Sequence, residues 1–120
     1  MDGEGEREGA AYFMESWRPI TDDEFARLFA EQYAKLNAAE RDCFNKYRVA
    51  PWKAVIRRSE VAGDEQVFVV SQKGNGVLYF DDVEYGFNIS LIDEAGRITM
   101  PEGSQYTLKE AVVRWFEVQQ

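Results

Sequence analysis

The stretch that decides the fold runs from Gln66 to Ile92 and reads QVFVVSQKGNGVLYFDDVEYGFNISLI. It holds three runs rich in β-branched and aromatic residues, separated by polar segments at 73–76 and 81–84. Such side chains suit the pleated surface of a sheet, and the Asn75-Gly76 pair suits a tight hairpin. We therefore predict an antiparallel meander with strands at 67–71, 77–80 and 87–92.

Three helix starts are marked by a capping residue with a glutamate three positions later: Thr21 with Glu24, Asn37 with Glu40, and Thr107 with Glu110. In such a box each side chain accepts a hydrogen bond from the backbone N–H of the other residue. The last start is followed by apolar residues at helical spacing: Leu108, Ala111, Val112, Trp115 and Phe116. We predict two N-terminal helices and an amphipathic C-terminal helix that buries Trp115.

The remaining pattern gives the fold class. Residues 52–58 alternate as a strand, with Trp52, Ala54 and Ile56 on one face, and 97–100 predict a short fifth strand. Strands grouped between helices indicate an α+β fold, in which the C-terminal helix packs on one face of a four- to five-stranded antiparallel meander. Residues 1–11 alternate glycine with charge, so we expect a flexible acidic tail before a single α+β domain over 12–120. Residues 12–20 hold the apolar cluster Tyr12, Phe13, Met14 and Trp17, which is expected to lie against the core or to form a short helix that stops before Pro19.

The composition limits the classes of partner that the protein can bind. The chain has 120 residues and a net charge of -8, and such an acidic surface disfavours nucleic acid and attracts basic partners. One cysteine makes no internal disulfide, which fits a reducing compartment, and no apolar run is long enough for a membrane span. We expect a cytoplasmic protein that engages neither nucleic acid nor membrane. Unlike the rest of the chain, residues 43–59 are basic, with five bases and no acid. We expect these bases to pair with nearby acids or to coat a solvated strand face.

The sequence offers little for catalysis. It contains no histidine, so neither Cys43 nor Ser90 has the usual partner that activates a nucleophile. Cys43 falls on the apolar face of a short helix, which is typical of a core residue. We predict no catalytic residue, no metal ligand set and no cofactor.

The acidic cluster Asp81, Asp82 and Glu84 is the strongest candidate for a site, and it lies beside Tyr85. Converging carboxylates can bind a hard cation or share a proton, so a small metal-dependent enzyme is one alternative. The spacing lacks the alternate acids and closing glutamate of a calcium loop. We interpret these four residues as a surface that binds another protein, because aromatic and acidic groups together suit recognition of a basic partner.

The segment VLYFDDVEYGFN at 77–88, followed by Asp93, Gly96 and Ile98 and an amphipathic helix, resembles small acidic bacterial proteins of the immunity type. In those proteins a VLYxxDVExGFN segment precedes a DxxGxI turn. The resemblance implies a non-enzymatic cytoplasmic inhibitor that binds a cognate toxin domain. An accessory or structural subunit of a bacterial assembly is the other alternative.

Overall fold

The computed structural model describes residues 18–59 and 63–119. In chain order its elements are α1 (Asp22–Ala34), α2 (Ala38–Tyr47), β1 (Arg48–Ser59), β2 (Gly63–Lys73), β3 (Gly76–Asp81), β4 (Gly86–Leu91) and α3 (Leu108–Gln119). The strands form one antiparallel sheet in the order β1-β2-β3-β4. The α+β prediction is confirmed, including the meander and the C-terminal helix. The predicted tail at 1–11 and the predicted packing of 12–17 lie outside the described residues.

All three predicted capping boxes form, and they explain why each helix begins where it does. At α1, Thr21 Oγ1 accepts a hydrogen bond from the backbone N–H of Glu24 at 3.1 Å, and the Glu24 carboxylate accepts one from Thr21 at 2.9 Å. Asn37 with Glu40 and Thr107 with Glu110 repeat the arrangement at α2 and α3. Each box satisfies two backbone donors that have no acceptor inside the helix.

The sheet separates two apolar layers. The three helices cover one face, where the core contains Phe25, Leu28, Phe29, Leu36, Phe44, Phe68, Val70, Leu78, Phe80, Phe87, Leu108, Ala111, Val112 and Trp115. The opposite face buries Ala54, Ile56, Val67, Val69, Val77, Tyr79 and Ile98. Trp115 is fully buried, as the helical spacing predicts. Burial of each large apolar side chain contributes about 1.5–3 kcal/mol to folding, so both layers stabilise the sheet.

The segment that follows β4 contacts both outer strands of the sheet. After a tight turn closed by Gly96 N–H on the Asp93 carbonyl at 3.0 Å, Ile98 N–H donates to the carbonyl of Val55 in β1 at 2.8 Å. Farther along, the Tyr106 carbonyl accepts from Phe87 N–H in β4 at 2.9 Å. Where the sequence predicted a fifth strand at 97–100, the chain makes isolated bridges instead of a ladder.

β1 begins earlier than its predicted start at Trp52, and it includes Pro51. Its pairing with β2 shifts register between Arg48 and Trp52, so Pro51 lies at an irregularity. A proline has no N–H to donate to a ladder, and such a break in pairing is where a strand tolerates one. The early start brings Arg48 beside the Phe29 and Tyr33 rings of α1.

Candidate functional site

The acidic turn, residues 81–86 between β3 and β4, is folded by its own first carboxylate. Asp81 is only 2% exposed. Its Oδ1 accepts hydrogen bonds from the backbone N–H groups of Val83 at 2.9 Å and Glu84 at 3.3 Å. This is the local bonding that makes aspartate a frequent turn residue. Asp81 therefore shapes the turn and does not face outward.

The second carboxylate anchors the turn to the start of α1. Asp82 Oδ2 accepts a hydrogen bond from the backbone N–H of Ile20 at 2.8 Å. Burial raises the pKa of Asp82 above its usual value, and the charge of Asp81 acts in the same direction, while the Ile20 hydrogen bond opposes both. Glu84 is half-buried beside Gly103. The three carboxylates thus have three different environments.

Tyr85 projects from the turn. It is 61% exposed, and it is the one residue other than glycine with a positive φ, +59°, within 18–59 and 63–119. Left-handed backbone costs a bulky residue about 1–2 kcal/mol, so the neighbouring contacts must hold it. The Tyr85 ring meets the Phe80 ring edge-on, with centroids 5.4 Å apart. This exposure fits the place of Tyr85 in the surface that the sequence predicted.

Gly86 fixes the other end of the turn through close backbone contact. A Cβ added there would stand 2.4 Å from Gln105 Cα and 2.6 Å from the Ser104 carbonyl oxygen. Only glycine permits the 104–106 segment to approach so closely and to pair with Phe87. Tyr85 is consequently held between two anchored positions, Asp81 and Gly86.

Two carboxylates of the turn are engaged by backbone N–H groups. Within residues 18–59 and 63–119, no three histidine, cysteine, aspartate or glutamate side chains are placed to ligate a metal ion. Asp81 Oδ1 accepts its hydrogen bonds from the turn itself, and Asp82 Oδ2 accepts one from Ile20. The exposed part of the turn is the Tyr85 ring together with Val83, and the half-buried Glu84 lies between them in the chain. Such a surface suits contact with another protein.

Cys43 packs partly against the core on α2, on the side that faces α3. Burial raises the pKa of its thiol, although Lys46 acts in the opposite direction. The thiol, and not the nucleophilic thiolate, is therefore the form present at neutral pH.

A groove between α1 and β1 is a second feature, and the sequence reasoning did not find it. It encloses about 550 Å³ and is lined by Asp22, Phe25, Ala26, Phe29, Ala30, Tyr33, Arg48, Val49, Pro51, Lys53, Phe68 and Val70. Two bases of the 43–59 run pair with acids as expected, Lys53 with Asp22 at 3.0 Å and Arg57 with Asp64 at 2.7 Å. Arg48 instead lies over aromatic rings. The one signal in the sequence was the basic run itself.

Comparison of the chain with protein-family models, curated proteins and solved structures found no match. In the part of the chain that the structure describes, no helix combines the length and apolar character needed to cross a membrane.

Proposed function

We propose that this protein acts by binding another protein through the acidic turn, with Tyr85 as the central contact. The observation that carries the proposal is that Tyr85 is 61% exposed while its backbone is held at φ +59°. Residues kept in rare backbone conformations concentrate at binding sites, where the surrounding structure compensates the strain. Tyrosine is also enriched among the few residues that dominate interface energies.

The anchoring of the turn supports a recognition role. Because Asp81 and Gly86 already fix the backbone on either side of Tyr85, little conformational entropy is lost when a partner contacts the ring. A flexible loop would lose more. Tyr85 is therefore pre-arranged for contact, and Val83 extends the apolar part of the same surface.

Charge supports a basic partner. The chain carries a net charge of -8, and Asp82 and Glu84 lie within three positions of the exposed Tyr85 in the same turn. An acidic surface accelerates encounter with a cationic protein and disfavours acidic competitors. The most concrete form of the proposal is a non-enzymatic cytoplasmic inhibitor of a cognate bacterial toxin, which the resemblance of 77–88 and 93–98 to immunity-type proteins supports.

The test is affinity capture from the source organism, followed by mass spectrometry, with wild-type protein and Tyr85→Asn. Asparagine tolerates positive φ, so this variant is expected to keep the turn. Phe116→Ala is the matched control, because Phe116 is another large exposed ring, 45% exposed, on α3. We expect a basic protein that wild type and the control retain and that Tyr85→Asn loses.

Three results would be informative. Identical capture by all three proteins would place the interface elsewhere. A captured toxin domain would support the inhibitor form of the proposal, whereas captured components of a larger assembly would favour the accessory-subunit alternative. With a captured partner in hand, Glu84→Gln should slow association at low salt and reduce its salt dependence, because steering acts on the on-rate.

A further inference from the structure

The α1–β1 groove has the size and lining of a small-molecule site. Its volume of about 550 Å³ lies within the range of roughly 300–1,000 Å³ that is usual for ligand pockets. The base is formed by buried apolar side chains, among them Phe25, Phe68 and Val70. Ala26 and Ala30 line the α1 side, and their small side chains leave the space open.

The groove is elongated along α1. Its lining extends from Asp22 to Tyr33, which are eleven positions apart, or about 16 Å at ~1.5 Å per residue. One end is electrically neutralised, because Lys53 Nζ lies 3.0 Å from Asp22 Oδ1 and 5.3 Å from the centre of the Phe68 ring. Because the groove is long and its base is apolar, an extended apolar chain fits it better than a compact polar molecule does.

The other end presents a cation with unused hydrogen-bond donors. The guanidinium carbon of Arg48 lies 5.2 Å from the centre of the Phe29 ring, 5.0 Å from that of Tyr33 and 5.8 Å from that of Phe44. Within residues 18–59 and 63–119, Arg48 has neither a hydrogen-bond acceptor nor an ion-pair partner for its side chain. Rings that hold the guanidinium leave its N–H groups available, and a planar guanidinium suits a carboxylate with two parallel hydrogen bonds.

From this polarity we propose that the α1–β1 groove binds a small amphiphilic carboxylate. An unbranched aliphatic chain lies along the aromatic base, and the carboxylate meets Arg48. The carboxylate is expected at the Arg48 end of the groove and not at the Lys53 end, because Lys53 is already neutralised by Asp22. This site is separate from the acidic turn and does not depend on the function proposed for it.

The experiment is calorimetric titration of the full chain with decanoate, below its micelle concentration, and with methyl decanoate as the uncharged probe of similar length. We expect saturable binding of decanoate and at least tenfold weaker binding of the ester. Arg48→Gln should weaken decanoate binding at least tenfold. Arg57→Gln is the matched control, because it removes the same charge from the same strand at a residue paired with Asp64 and outside the groove lining; it should change affinity less than twofold.

A second variant tests the groove without altering its charge. Ala30 is exposed on α1, and Ala30→Leu keeps good helix propensity while filling the space, so it should fold and lose decanoate binding. Tyr85→Asn should bind decanoate as wild type does, which separates this proposal from the proposed function. Absence of saturable binding, equal binding of acid and ester, or undiminished binding by Arg48→Gln or Ala30→Leu would each overturn the proposal.

Discussion

Replacement of Gly86 by alanine is the most direct test of how the acidic turn is held. The added Cβ would stand 2.4 Å from Gln105 Cα, 2.6 Å from the Ser104 carbonyl oxygen and 2.7 Å from the Gln105 carbonyl carbon. All three atoms are backbone, so a change of rotamer cannot relieve the clash. The 104–106 segment must move away from β4, and the 2.9 Å hydrogen bond from Phe87 N–H to the Tyr106 carbonyl would be lost or weakened.

The expected magnitude follows from these two effects. Overpacking of a closely packed site costs about 1–3 kcal/mol, and a lost backbone hydrogen bond about 1 kcal/mol. We therefore expect Gly86→Ala to lower the free energy of unfolding by about 2–4 kcal/mol. For a chain of 120 residues, this corresponds to a decrease in Tm of roughly 8–16 °C at ~4 °C per kcal/mol.

The assay is urea denaturation followed by the fluorescence of the three tryptophans. Gly74→Ala is the comparison variant, because Gly74 has φ +59° and no atom within 4 Å of the added Cβ, whereas Gly86 has close contacts without a left-handed φ. It measures the cost of left-handed backbone alone, about 1–2 kcal/mol, which Gly86→Ala does not incur. If Gly86→Ala is as stable as wild type, the close approach of the 104–106 segment does not support the turn, and the anchoring of Tyr85 at Gly86 is refuted.

The other predictions concern the helices. Thr107→Ala should lower the free energy of unfolding by about 0.5–2 kcal/mol through loss of the cap, and an unchanged urea midpoint would contradict it. Trp115→Ala should cost about 3–5 kcal/mol, because it empties a fully buried site; a folded variant of unchanged stability would show that this side chain does not support the core. The hydrogen bond from Arg18, together with that from the Thr21 backbone, lowers the pKa of Glu24 to about 2 from 4.5. Its stabilising contribution should therefore be present above pH 4.5 and be lost as the pH falls toward 2, and Glu24→Gln should flatten stability over this interval in acid denaturation; a slope equal to that of wild type would contradict it.

The elements that depend on local chemistry could be predicted from the sequence. A capping box involves residues three positions apart, so Thr21, Asn37 and Thr107 mark their helices without knowledge of the tertiary fold. The buried Trp115 follows in the same way from helical spacing. The alternation that placed Trp52 and Ile56 on one face of β1 is equally local, and both side chains belong to the second apolar layer.

The details of the site depend on contacts between distant parts of the chain. The spacing of Asp81, Asp82 and Glu84 could not reveal that Asp82 bonds to Ile20, because these residues are 62 positions apart. It also gave no sign that Asp81 is buried beneath its own turn. Likewise, Arg48 reaches the rings of α1 and α2 because β1 begins before Pro51, and the shift in register that permits this depends on how β1 pairs with β2.

The segment that follows β4 has a consequence for how other chains can approach the molecule. Outer strands with free backbone groups invite a second chain to add a strand, which leads to self-association. Here one covalent connection engages both outer strands, through Val55 on β1 and Phe87 on β4. Local opening of this one segment would therefore free backbone groups on both outer strands at once. We expect any variant that releases it, Gly86→Ala included, to self-associate at concentrations where the wild-type chain does not.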